Sequence, residues 1–353
     1  LDVGRLRHLL LLGAWPLAGA LTQPEPVLSY DPSIFDVTAP HPAPAPPPPE
    51  PRDAAAPGKA QYRLTIDFAA IADSNATNGT RLREVPVLVE GERVPVPLDP
   101  RLRRKSGLGR SAALSASATV PIARVASVIA SADAYYVDYA GSLSDDASVT
   151  FATGLELGPQ AHRTTLEAML FDRWYAHESA MAGWGLRLSH RSAIAPGQTL
   201  RAVGEARVYR SGYGRAFDGR QASAWVSYDA VLDPSLTASA SVYVRRDALR
   251  DRAYASTEVG GAASLAYYLG PDFSGALTLG VGRAWFDAPI PYLATFARED
   301  WRPSAAVSVT TRHPVLWGFY PSLAYSYGRT ASSLPFYASD RHRLRLGVAR
   351  TFQ

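Results

Sequence analysis

Arginines and carboxylates are the residues of this chain with chemistry to offer, and they recur on alternate positions of segments that switch between apolar and polar. In "QYRLTIDFAA", Arg63 and Asp67 share a face with Gln61 and Thr65, while Tyr62, Leu64, Ile66 and Phe68 share the other. In "LRAVGEARVY", Arg201, Glu205 and Arg207 oppose Leu200, Ala202, Ala206 and Val208. Arg187 stands the same way in "WGLRLSHR", as do Arg343 and Arg345 in "RHRLRLGVARTFQ", and Asp133, Glu156 and Glu167 fall on inner faces too. Charges of both signs on one face read as the lining of a hydrated lumen. They pair with one another there, because an unpaired charge in a narrow pore is costly. The lumen-lining candidates are Arg63, Asp67, Glu156, Glu167, Arg187, Arg201, Glu205, Arg207, Arg343 and Arg345.

Other chemistries find no footing. The seven His are scattered without the spacing of a metal site. No GxSxG elbow occurs, and with no Cys neither a disulfide nor a thiolate site can form. No catalytic, metal or cofactor-binding residue is expected, and the chain is not read as an enzyme.

The elements that must position these charges are strands of roughly ten residues, the repeat of membrane barrels. They are expected at 61–70, 107–121, 125–137, 146–157, 163–175, 182–192, 198–210, 219–232, 236–247, 257–268, 273–286, 301–311, 317–328 and 341–352. Fourteen such strands satisfy the even count of single-chain barrels. Connections after even strands are short ("GPQAH", "LDPS", "LGPD"), whereas those after odd strands are mostly longer, as in "DAPIPYLATFARED". The fold class predicted is an all-β, antiparallel transmembrane barrel of outer-membrane type, with short periplasmic turns, longer surface loops and both termini periplasmic. The longest loop, 71–106, contains "VPVLVEGERVPVPLDP", which predicts a hairpin around Glu90-Gly91-Glu92. That hairpin either folds into the lumen as a constriction or stands above the mouth. Trp174, Trp184, Trp285, Trp301 and Trp317 read as interfacial girdle residues, and Asn75 and Asn78 as turn caps.

Before the strands come two other regions. Residues 1–20 read as a signal peptide, with Arg5, Arg7 and His8 ahead of "LLLLGAWPLAGA" and small residues Ala18-Gly19-Ala20 for cleavage. Residues 21–60 contain "APHPAPAPPPPEPRDAAAPG", a Pro-rich periplasmic segment expected to be disordered, and 61–353 form the barrel. The net charge of +4 and the absence of basic runs interleaved with aromatics argue against a nucleic-acid partner. No run of about 18 apolar residues predicts a membrane helix.

Three stretches carry a family resemblance. They are "AIADSNATNGT", "VPVPLDPRLRRKSGLG" and the segment from Arg298 to Phe352. Asp73-Ser74-Asn75, Trp317-Gly318-Phe319 with Pro321, and Phe336-Tyr337 with Asp340-Arg341 come in the expected order. Together they resemble the C-terminal barrel domain of the surface lipoprotein assembly modifier family (Slam, formerly a domain of unknown function), over about Gln61 to Phe352. The resemblance implies an outer-membrane barrel of a Gram-negative bacterium that translocates exported proteins or lipoproteins to the surface by the type XI secretion route. It needs no cofactor. Family members usually carry tetratricopeptide repeats before the barrel. The Pro-rich stretch occupies that place here, so the chain is a barrel-only relative, one served by a separate periplasmic partner, or a truncated chain. The expected partners are outer-membrane lipids, the barrel-assembly machinery and exported cargo. A passive or gated, porin-like solute channel is the alternative, and a surface-exposed host-interaction barrel a third reading.

In the closing segment, Leu344, Leu346 and Val348 face lipid, and Phe352 stands where assembly machinery reads a terminal aromatic, with Gly347 at that signal's usual glycine. Removing Phe352 is expected to cut barrel assembly sharply, while removing Gln353 matters little. The amount of heat-modifiable barrel in membranes measures both, and normal assembly of the two truncations alike refutes the reading.

Overall fold

The computed structural model describes residues 59–89, 91–100, 103–140, 145–175, 178–270 and 272–353. The expected signal peptide and nearly all of the Pro-rich segment lie outside the described residues. Sixteen strands follow: β1 (Gln61–Asp73), β2 (Glu84–Val89), β3 (Glu92–Pro97), β4 (Gly107–Ala123), β5 (Ala126–Tyr139), β6 (Asp146–Leu157), β7 (His162–Tyr175), β8 (Glu178–Ala195), β9 (Gln198–Arg210), β10 (Gly219–Asp233), β11 (Leu236–Leu249), β12 (Ser256–Leu269), β13 (Phe273–Phe286), β14 (Glu299–Thr311), β15 (Tyr320–Ser332) and β16 (Ser339–Phe352). All but β2 and β3 join one closed antiparallel barrel, in which β1 pairs with β4 on one side and β16 on the other. Fourteen strands is the number the alternation predicts.

Burial is inverted relative to a water-soluble protein. Phe68, Trp184, Leu186, Leu188, Val242 and Leu346 are exposed, while Asp67, Glu205, Arg207, Arg245, Asp247, Glu258, Asp300 and Arg345 are buried. Period-two strands place one set on each face, and charge goes inside only when the outside is the less polar solvent. The barrel is therefore built to stand in lipid.

Its two rims differ. At one, the turn rim, strands connect through 124–125, 158–161, 196–197, 234–235, 270–272 and 312–319. At the other, the loop rim, the connections include 74–106, 211–218, 250–255, 287–298 and 333–338. Three of the two-residue turns are flanked by register shifts, at Pro121/Ala123, Ala193/Ala195 and Val231/Asp233. Such bulges sharpen local twist and help a sheet curl closed.

Several boundaries moved. Trp317 was expected to open a strand but sits in a short 3-10 turn with φ 54, followed by Gly318 at φ 79, and β15 starts only at Tyr320. Two successive left-handed residues cannot continue an extended strand. The strand expected from Ala182 begins at Glu178, and that expected from Trp301 begins at Glu299. The hairpin forms where predicted, pairing Glu84 with Pro97 through to Val89 with Glu92.

Side chains lying flat across glycines stiffen the inner wall. Tyr243 of β11 faces Gly260 of β12 in register, and Gly260 faces Gly282 of β13. A Cβ on Gly260 would come within 2.6 Å of the Tyr243 ring, and one on Gly282 within 2.7 Å of its hydroxyl. The Tyr243 hydroxyl, held over this gap, donates to Glu258 at 2.5 Å. Gly260→Ala is expected to displace the ring, break that bond and cost about 1–3 kcal/mol. In a Tyr243→Ala background the same substitution should cost little; thermal loss of heat-modifiable mobility on gels gives the four midpoints.

Candidate functional site

The inner wall carries a chain of ion pairs across β10 to β14. Gln221 donates to Asp247 at 2.8 Å, and Arg245 binds both Asp247 at 3.0 Å and Glu258 at 2.9 Å. Arg302 then links Glu258 at 2.6 Å to Asp300 at 3.1 Å. A second cluster spans β7 to β9, where Arg187 lies 2.9 Å from Glu205 and 3.8 Å from Glu167, and Arg207 pairs with Glu205. Buried charges of this kind persist because each has several partners.

The seam between the first and last strands is tied in the same way. Arg345 of β16 pairs with Asp67 of β1, its guanidinium passing over Gly347, where a Cβ would meet it at 2.5 Å. Sequence reading gave Gly347 to an assembly signal, and the wall gives it this second task. Higher up, Asp73 accepts from Arg341 (2.6 Å), Arg343 (3.1 Å) and the Tyr139 hydroxyl (2.7 Å). Tyr139 reaches it across β4 because Gly109, its register partner, leaves the space.

The motif residues from the two ends of the chain meet here. The backbone N–H of Ser74 donates to the carbonyl of His342 at 2.9 Å, and the Ser74 hydroxyl accepts from the N–H of His342 at 2.8 Å. Asn75, fully buried, bonds both the N–H and the carbonyl of Gly79 at 3.0 Å, pinning the turn. Asn78, at φ 50, donates its N–H to Asn75. Asp340 receives Arg81 at 2.6 Å and Arg104 at 3.0 Å, so the first loop is tied to β16.

Near the loop rim the connections pack against the inner wall and against one another. Phe171, Met181, Tyr209, Phe217, Leu249 and Ala255 form one apolar cluster, and Ala253, Ile290, Ala294 and Leu334 form another, with Tyr254 packed against both. Arg298 anchors the second. It is almost fully buried, stacked 4.2 Å from the Phe286 ring centroid and 3.8 Å from that of Tyr337, and it binds Asp300 at 2.5 Å. Burial draws its guanidinium below the usual value and pushes the Tyr337 phenol up, while Tyr254 is pushed up to about 12. Phe336 meets Tyr337 edge-on at 5.0 Å. The β2–β3 hairpin reaches this cluster's loop, the Leu88 N–H donating to the Tyr292 carbonyl at 2.6 Å. This bond ties the hairpin to the 287–298 connection.

Remaining predicted residues are scattered. Glu156 pairs with Arg163 at 2.6 Å near the turn rim, Arg201 is half-buried in β9, and Arg63 is exposed at the start of β1, before pairing with β16 begins at Leu64. Trp317 is 78% exposed at the turn rim, with its carbonyl bound by Arg350; Phe319 follows it in the same turn and Pro321 lies in β15. Arg350 also stacks over Phe352 at 4.4 Å. Arg283 lies between Trp285 and Trp301, at 4.9 and 5.1 Å from their ring centroids, as an interfacial pair of aromatics holds a cation. The β10–β14 chain is what sequence reasoning missed. In "LTASASVYVR" alternation puts Arg245 on one face with Thr237, Ser239 and Ser241, but Asp300 was left in a loop because β14 was expected to start after it. No cluster of three or more His, Asp or Glu suited to a metal occurs among the described residues.

An apolar exterior, a paired ionic interior and closed strands define a membrane-spanning β-barrel of the outer-membrane type. The chain belongs to the surface lipoprotein assembly modifier family, whose model matches residues 100–352. The match begins after Asp73-Ser74-Asn75, so that stretch of the earlier resemblance lies outside it. No curated protein matches the chain. Among solved structures it is similar to the outer membrane channel DcaP of Acinetobacter baumannii, at 12% identity and TM-score 0.49 over 85% of this chain and 99% of that one. A Pseudomonas aeruginosa FadL homologue matches at 8% identity and TM-score 0.47, over 83% and 90% of the two chains. A bacterial polysaccharide outer membrane secretin matches at 10% and 0.42, over 83% and 98%. Nothing about transport follows from these three.

Asp300→Ala strands the Arg298 guanidinium, a change that costs about 3–5 kcal/mol when a buried pair loses one partner. Limited proteolysis should then cut within 287–298 while the barrel stays heat-modifiable. Asp73→Ala should instead lower the melting midpoint of the barrel itself.

Proposed function

We propose that this chain is a translocation barrel that passes an exported protein or lipoprotein to the cell surface. Family membership over residues 100–352 is the observation that carries the reading. The turn rim faces the periplasm and the loop rim the outside, so both chain ends are periplasmic and the packed loops close the exit. Cargo enters from the periplasm, with help from a separate periplasmic partner, and the barrel-assembly machinery inserts the barrel. The reading assigns no catalytic step and no cofactor. A lumen lined with both signs supports it, because paired charges give a hydrated wall without strong preference for cations or anions.

A gated solute channel is the second reading, and one observation favours it. On the inner face beside β4 and β5, Ser115, Ser117 and Asp133 are exposed, in contrast to the buried wall of β10 to β14. Steady conductance of the purified barrel in planar bilayers would support that channel.

Translocation makes a different demand, that the loops part. The chain has no Cys, so Leu88→Cys with Tyr292→Cys places two unique thiols where the hairpin meets the 287–298 loop. A short cleavable thiol crosslinker there should block surface delivery, and its cleavage should restore it. Surface proteomics of a deletion strain supplies the cargo: at least one small exported protein or lipoprotein should lose surface exposure. Unchanged exposure of all of them sinks translocation.

A further inference from the structure

Among the described residues, the outer face of the barrel carries all but one of its strand arginines at one rim. Arg110, Arg210, Arg220, Arg246, Arg283 and Arg329 lie on outward positions near the loop-rim ends of β4, β9, β10, β11, β13 and β15. At the turn-rim ends the strands present only Arg350 outward among the described residues, alongside His162 and His190. Three of the upper set have acidic companions: Arg110 with Asp138, Arg246 with Asp287 and Arg283 with Glu299. For Arg210, Arg220, Arg329 and the adjoining Arg250, no carboxylate partner is seen among the described residues.

Three of these four are neighbours. Arg220 stands opposite Val208 on β9 and Ala248 on β11. Arg210 therefore lies one step above it on β9, at a diagonal spacing of about 7–8 Å, and Arg250, just past the end of β11, donates its N–H to the Asp218 carbonyl at 3.1 Å. All three are exposed. Directly below, Val208, Val226, Val242 and Val244 present an exposed apolar wall. Asp218 lies between Arg210 and Arg250, and its carboxylate accepts the Ser211 N–H at 3.0 Å. A cation on the lipid face is tolerated only near an interface, and three arginines about this one carboxylate leave net positive charge that calls for anions in the headgroup layer. Guanidinium forks match phosphate oxygens, and apolar wall beneath them matches acyl chains.

We propose that Arg210, Arg220 and Arg250 bind the phosphate monoesters of the outer-leaflet glycolipid, lipid A, whose acyl chains lie along the valines of β9 to β11. The proposal rests on the loop rim facing outward, but not on cargo transport. The test uses the full chain, refolded in detergent and shown folded by heat-modifiable mobility, with native mass spectrometry of bound lipid. The probes are bis-phosphorylated lipid A, dephosphorylated lipid A and phosphatidylglycerol. The wild type should retain bis-phosphorylated lipid A at least tenfold better than the other two. Arg210→Ala/Arg220→Ala/Arg250→Ala should lose that preference, and the corresponding triple Lys variant should keep part of it. Equal retention by the Ala variant overturns the site. Equal retention of phosphatidylglycerol by the wild type overturns the assignment to the outer leaflet. Tags in 211–218 report orientation separately, so an inverted barrel is distinguished from a failed site, and cargo delivery is not read at all.

Discussion

A sheet placed in hydrocarbon can have no edge. Every backbone N–H and C=O there needs a partner within the protein, so the register between β1 and β16 decides whether the other strands can exist in the membrane. That register runs from Leu64 opposite Phe352 to Asp73 opposite Arg343. The two strands reinforce it with side chains: Asp67 with Arg345 on the lumen side, Asp73 with Arg341 and Arg343 near the loop rim, and Ser74 with the backbone of His342. Closure is thus secured by hydrogen bonds along the strands and by charge across them.

Closure also explains where polarity goes. Once the exterior must be apolar, the interior receives everything charged, and the wall has to satisfy it locally. It does so with arginines that each bridge two carboxylates, as Arg245 and Arg302 do, and with tyrosines laid over glycines so that their hydroxyls reach a carboxylate on another strand. Arg298 extends the arrangement to the loop rim, joining Asp300 of the wall to the Phe286 and Tyr337 rings. The ionic wall and the loop cluster are consequently one mechanical unit.

The sequence made legible what is local. Strand number, the lipid-facing and lumen-facing sets and the asymmetry of the rims follow from period-two alternation and from the spacing of Pro, Gly and Asp. The partners of each charge did not follow. Asp73 and Arg341 are far apart in the chain and meet only because β1 and β16 close the sheet in one register. Asp300 was hidden by a boundary placed two residues late, and Trp317 by two left-handed residues that no alternation announces. The packing of Tyr254 between two loop clusters depends on where several loops converge, which no single segment encodes.

The clasp at Asp73 draws on β1, β4, β5 and β16, so it is complete only when the last strand arrives. Before that moment Asp73 and Tyr139 face each other without their arginines, and a carboxylate sits where water is being excluded. A copy that stalls short of its final strand leaves the β1 edge unpaired and, in addition, this carboxylate without its cations. Asp73 therefore adds a buried-charge penalty to the open edge of an unfinished barrel, and one strand relieves both at once.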